Sequence, residues 1–241
     1  MSKKKFLLTL LMLISSVVVT TAQAQTVEAT AEPRAALERG NRSFAGENYE
    51  AAIREYGSVP SSAGETYAQA LYNIGASYYE LWRTTEAIDY YRRAIAERHG
   101  TYPRASYALG VALEDEKQLA QAREAYQQAI SESRGEYAPA HYRLGLLNAG
   151  QGEYRTAAEC FSKALKHPGL HVPASHNNLG VMLARLGRLK DAQREFEIAL
   201  RQADGTFEDA AHNLQLCRFL LTAVPPKQVA AFRVAEVIAR N

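Results

Sequence analysis

Tyr72-Asn73-Ile74-Gly75-Ala76-Ser77-Tyr78-Tyr79, followed twelve residues after Gly75 by Ala87-Ile88-Asp89-Tyr90-Tyr91-Arg92-Arg93-Ala94-Ile95, is the stretch on which the reading of the fold turns. In each half, apolar and small residues recur at steps of three and four, the spacing that puts them on one face of a helix. Two helices with a short turn between them make a helical hairpin.

The same hairpin recurs along the chain. Gly40, Gly75, Gly110, Gly145 and Gly180 lie 35 residues apart, and so do Ala52, Ala87, Ala122, Ala157 and Ala192, and the aromatics Tyr56, Tyr91, Tyr126, Phe161 and Phe196. Three registers held at one step are the mark of a repeat architecture, in which each unit buries its apolar face against its neighbours. The small Gly and Ala are expected to let helices approach closely, with the Tyr or Phe filling the joint to the next hairpin. Pro60, Gly64, Gly100, Pro103, Gly135, Pro139, Gly169, Pro173 and Gly205 fall between hairpins. There Gly ends a helix in the left-handed conformation and Pro opens the next. Tyr67, Tyr102, Tyr137 and Phe207, with Val172 once in their place, keep the same step as joint-sealing hydrophobes.

These motifs resemble the tetratricopeptide repeat (TPR), and the resemblance covers residues 33 to 207. It implies an all-α fold, a right-handed superhelix (α-solenoid) of helical hairpins. The expected units are 33–67, 68–102, 103–137, 138–172 and 173–207, then a degenerate repeat or C-terminal cap over 208–241, where Gln215 replaces the Gly. Val229, Phe232, Val234, Val237 and Ile238 suit a last helix after Pro225-Pro226, and this apolar end offers a second docking surface.

The chain opens with Lys3-Lys4-Lys5, an apolar run from Phe6 to Val19, and Ala22-Gln23-Ala24, the pattern of a secretory signal cut after Ala24. The rival, an uncleaved anchor, needs about 20 apolar residues. The expected mature protein starts with a flexible lead over 25–32 and is periplasmic or secreted, with no stable membrane span. Three of the 28 basic residues and none of the 26 acidic ones lie in 1–24, which leaves a formal charge of −1. With Arg and Glu interspersed and no basic face, nucleic acid is not expected as a partner.

No nucleophile with its base, phosphate-cradling loop, Cys-x-x-Cys or His-Glu-x-x-His is present, so an enzyme is not expected and no cofactor is called for. His167 and His171, with His141 and His176 nearby, support one alternative, a metal or small-ligand carrier at the joint of the fourth and fifth repeats. His141 and His176 share one repeat position and read as joint packing. Cys160 and Cys217 have a whole repeat between them and read as two buried thiols, an intermolecular bridge being the minor alternative.

The resemblance further implies that the first helix of each hairpin lines the concave face. Three residues before each Gly stand Tyr72, Tyr107, Tyr142, Asn177 and, at the degenerate unit, His212; the next place holds Asn73, Ala108, Arg143, Asn178 and Asn213. An Asn amide both donates to and accepts from a bare backbone, and Tyr offers apolar area with a polar tip. Tyr72, Asn73, Tyr107, Tyr142, Arg143, Asn177, Asn178 and Asn213 are therefore the candidate peptide-binding residues, and the expected partners are proteins or peptides. The carboxylate clamp of chaperone-adaptor TPR domains is incomplete: Asn41, Asn73 and Arg104 fit it, but Leu37 and Ala108 do not.

Overall fold

The computed structural model describes residues 32–169, 172–222 and 232–235, and among these every regular element is helical. The signal and lead over 1–31, the His171 position and Val229, Val237 and Ile238 lie outside the described residues. Two compact units divide the chain, the first ending at Gly100 and the second beginning at Thr101.

The first unit contains α1 (32–45), α2 (Tyr49–Gly57), a 3-10 turn (Ser61–Ala63), α3 (Glu65–Glu80) and α4 (Thr84–Glu97). The second contains α5 (Pro103–Asp115), α6 (Leu119–Glu132), α7 (Ala138–Gly150), α8 (Tyr154–Ala164), α9 (Val172–Arg185), α10 (Leu189–Gln202) and α11 (Glu208–Thr222). Eleven described α-helices, paired as α1/α2, α3/α4, α5/α6, α7/α8 and α9/α10 with α11 after them, are the hairpins that the 35-residue period requires. Glu32 is already helical, which shortens the expected lead by one residue.

What locks each hairpin is more specific than close approach. A Cβ placed on Gly75 would lie 2.8 Å from Tyr91, on Gly110 2.5 Å from Tyr126, on Gly145 2.7 Å from Phe161 and on Gly180 2.6 Å from Phe196. Gly40 stands in the same relation to Tyr56. The ring sixteen residues on thus fills the notch left by the glycine of its own hairpin, which corrects the expectation that it fills the joint to the next one. Ala52, Ala87, Ala122, Ala157 and Ala192 are all fully buried beside these locks.

The turn inside each hairpin has its own period. Glu47, Trp82, Lys117, Gly152 and Gly187 all have φ between +58° and +79°, again 35 residues apart. Only two of the five are glycine, the residue that adopts this region without a steric cost. Between hairpins, His99-Gly100, Arg134-Gly135 and Asp204-Gly205 repeat a left-handed pair, and Pro103 and Pro139 sit in the first turns of α5 and α7.

Several buried polar groups in the second unit have partners, while the buried Ser175 hydroxyl has none. The Glu132 carboxylate accepts from the Tyr102 N–H and the Ser106 hydroxyl at 3.0 Å, so α6 caps the start of α5. The Asn148 amide donates to Cys160 Sγ, and Cys217 Sγ donates to the Leu189 carbonyl. Both thiols are free and buried, and burial pushes the Cys217 thiol up to about 11.

Candidate functional site

Residues 232–235 are not helical, in contrast to the last helix expected there, and they lie against α7, α9 and α11 of the second unit. Helical propensity lost to side-chain amides that bind an extended backbone better than it could bind itself. Asn213 donates to the Arg233 carbonyl at 2.7 Å and accepts from the Arg233 N–H at 2.8 Å. Asn178 does the same to Ala235, with 2.6 Å in both directions. Each asparagine therefore satisfies both backbone groups of one residue, and the two residues gripped are two apart, as alternate positions of an extended strand must be.

The remaining donors and acceptors close into one network. Asn177 donates to the Arg233 carbonyl and to Asn178 Oδ1, both at 3.1 Å, and accepts from Asn213 at 2.8 Å. The Tyr142 hydroxyl donates to the Ala235 carbonyl at 2.6 Å. Asn177, Asn178 and Asn213 are all fully buried, a placement that polar side chains tolerate only when their hydrogen bonds are made. Around the network the Phe232 ring stacks on Phe196 at 5.8 Å, the ring that locks the α9/α10 hairpin. Phe232 and Ala235 are buried, whereas Arg233 and Val234 face solvent and Arg233 lies 3.8 Å from Asp209.

Four of the eight candidate residues, Tyr142, Asn177, Asn178 and Asn213, are thus brought together on one extended segment. Tyr107 and Arg143 are placed otherwise. Tyr107 packs on Tyr126 and Tyr137 at 5.8 and 5.4 Å, and Arg143 pairs with Glu114 at 3.8 Å, while Glu114 accepts from the Tyr126 hydroxyl at 2.6 Å. Burial opposes the Arg143 charge, but Tyr126, Tyr107 and Glu114 more than offset this and hold its pKa above the ordinary value. Their arrangement is that of a partly buried charge cluster joining α5, α6 and α7.

Tyr72 and Asn73 belong to the first unit. Tyr72 is buried against Tyr91 at 5.7 Å, and the Asn73 amide donates to Asn41, which also accepts from the Tyr56 hydroxyl. Asn41 and Asn73, two of the clamp-like residues, are therefore engaged with each other. Two of the helical histidines are engaged as well: His141 Nε2 lies 3.0 Å from the Gly135 carbonyl and His176 Nδ1 lies 2.7 Å from Glu195. Among the described residues no group of three or more His, Cys, Asp or Glu side chains converges as a metal site.

The gripped segment is not evident from the sequence pattern alone. Its signal was present in Pro225-Pro226, which breaks the helical pattern, and in three asparagines crowded into successive first helices just before it.

Family models of the tetratricopeptide repeat match residues 68–99, 103–135 and 142–206, together more than half of the chain. No curated protein matches the sequence significantly. Among solved structures, MamA is 25% identical with a TM-score of 0.59 over 68% of this chain and 94% of its own. A tetratricopeptide repeat protein from Parabacteroides merdae is 16% identical with a TM-score of 0.62, covering 79% of this chain and 74% of its own. A thermophilic TPR protein from Thermus thermophilus is 24% identical with a TM-score of 0.52, covering 78% of this chain and all of its own. The two remoter likenesses bear on the fold alone, and they agree with the family models and with the hairpins described above: this chain is a member of the tetratricopeptide-repeat family.

Proposed function

We propose that the protein is a non-catalytic interaction scaffold that works outside the cytoplasm and holds an extended peptide segment of a partner protein against α7, α9 and α11. The tetratricopeptide fold is an interaction scaffold, and one observation carries the finer reading: Asn178 and Asn213 each bind both backbone groups of one residue in an extended segment. Such contacts recognise the backbone and not its side chains, so they suit any extended chain whose side chains the surrounding surface accepts. If that place were emptied, Asn177, Asn178, Asn213 and Tyr142 would lose buried partners at a cost of about 1–3 kcal/mol for each group left unsatisfied. A surface with that penalty is matched to a second extended backbone or to water.

Selection of a random-peptide display library on the full chain and on an Asn178→Ala/Asn213→Ala variant tests this reading. Peptides enriched on the wild type and lost on the variant support it. Equal enrichment on both removes the asparagines from recognition. The extracytoplasmic half rests on Lys3-Lys4-Lys5, the apolar run and Ala22-Gln23-Ala24. N-terminal sequencing of protein made in an exporting host reads Gln25 first if it holds, and an intact Met1 start on membrane-bound protein contradicts it.

A further inference from the structure

Backbone capture by Asn178 and Asn213 accounts for affinity, and the side chains of residues 232–235 add a selectivity that it leaves open. At the first place the Phe232 ring is buried and stacks on Phe196 with an interplanar angle of 16°. At the second, Arg233 reaches toward Asp209 at 3.8 Å while staying largely in solvent. At the third, Val234 is exposed to 37%. At the fourth, Ala235 is only 6% exposed, with Asn178 on both its N–H and its carbonyl and the Tyr142 hydroxyl on that same carbonyl. Burial at that place leaves little room for a larger side chain.

We propose that the surface of α7, α9 and α11 selects extended segments of the pattern aromatic–basic–any–small, and that Phe232-Arg233-Val234-Ala235 is its resident competitor, which a partner segment displaces. This rests on the peptide-binding reading above and adds the sequence class of the ligand and a built-in threshold. The segment belongs to the same chain as the surface it covers, and an intramolecular ligand competes at an effective concentration well above that of a dilute free peptide. A free peptide making the same contacts therefore binds weakly to the wild type, because its apparent Kd is raised by the inverse of the fraction of molecules with the surface open. The threshold also favours partners presented in many copies or on a tether of their own.

The experiment uses the full chain in two forms, wild type and a Phe232→Ser/Ala235→Lys variant, after circular dichroism has shown that both are folded; Ala235→Lys alone is the milder variant should the double one unfold. The probe is an end-capped, fluorescein-labelled peptide, Gly-Gly-Phe-Arg-Val-Ala-Gly-Gly, with a control in which its Phe and Ala are replaced by Ser and Lys. Anisotropy titration is expected to give binding to the variant at least about tenfold tighter than to the wild type, no binding of the control, and loss of binding when Asn178→Ala is added to the variant. Equal affinity of the probe for both forms overturns the resident competitor, and equal binding of probe and control overturns the pattern. Binding that depends on Asn178 but not on the pattern overturns this inference and leaves the peptide-binding reading standing. Binding indifferent to Asn178 removes both. A concentration-dependent dimer of the wild type that the variant abolishes would place the resident segment on a second copy and overturn the intramolecular form.

Discussion

The Tyr126 ring occupies the space that a side chain on Gly110 would need: a Cβ there would lie 2.5 Å from Cε1 and 2.6 Å from Cδ1, with the Tyr126 hydroxyl fixed by its bond to Glu114. The ring is anchored at its far end and cannot swing away freely. Gly110→Ala gains helix propensity of about 1 kcal/mol, but overpacking of a fixed ring costs about 1–3 kcal/mol and dominates. Gly150, near the end of α7, has open space around its missing side chain. Gly150→Ala is therefore expected to stabilise by up to about 1 kcal/mol where Gly110→Ala destabilises, a contrast in sign read by urea unfolding of the two variants.

Trp82 is 83% exposed at φ +60°, in the turn position that Gly152 and Gly187 fill in later hairpins. The left-handed conformation costs an L-residue about 1–2 kcal/mol, while the added freedom of glycine in the unfolded chain takes back about 0.5–1. Trp82→Gly is expected to leave the protein as stable or to raise stability by about 0.5 kcal/mol. A loss of more than 1 kcal/mol in thermal unfolding would mean the indole makes contacts that the exposed turn does not show.

Arg143 was a candidate for ligand contact, and its surroundings give it a different expected behaviour. Replacing it leaves the half-buried Glu114 and the Tyr126 hydroxyl without their cation. Arg143→Met should lower stability by about 2 kcal/mol or more. Double replacement with Glu114→Gln should recover part of that loss, and the recovery, measured as a double-mutant cycle, separates a structural charge cluster from a ligand contact.

His141 is buried with Nε2 against the Gly135 carbonyl, and burial lowers its pKa below the ordinary histidine value of 6.5. The sign follows from proton counting. Between the lowered folded pKa and 6.5 the unfolded chain binds the proton and the native one does not, so stability rises with pH there. The contribution is complete above pH 6.5 and is lost on acidification toward the folded pKa. A His141→Gln variant should show a flatter fall in stability between pH 7 and pH 5 than the wild type, and an unchanged fall would take His141 out of the acid response.

The hairpins were legible because Gly, Ala and aromatic registers each repeat a contact forced by sterics, the glycine notch filled by a ring sixteen residues later. The turn register was hidden, since Glu47, Trp82 and Lys117 carry no sign of a left-handed conformation in their side chains. The ladder of Tyr and Asn was readable from its place in the repeat. Its division was not: whether a given rung meets a ligand or a charge cluster depends on neighbours such as Glu114, whose reach the spacing does not encode. Residues 232–235 were misread because Phe232, Val234 and their neighbours look apolar enough for a helix, and only the buried asparagines opposite make the extended form the better one.

The central claim is that Asn178 and Asn213 hold an extended backbone by both of its hydrogen-bonding groups, and amide hydrogen exchange of residues 233–235 in the full chain tests it without any added ligand. The Arg233 and Ala235 N–H groups, each donated to an asparagine, should exchange at least about tenfold slower than in a free peptide of the same sequence. Val234, to which neither asparagine bonds, serves as the comparison between them. Asn178→Ala should release Ala235, and Asn213→Ala should release Arg233. Exchange of both amides at the free-peptide rate in the wild type, or protection untouched by either substitution, would contradict the account.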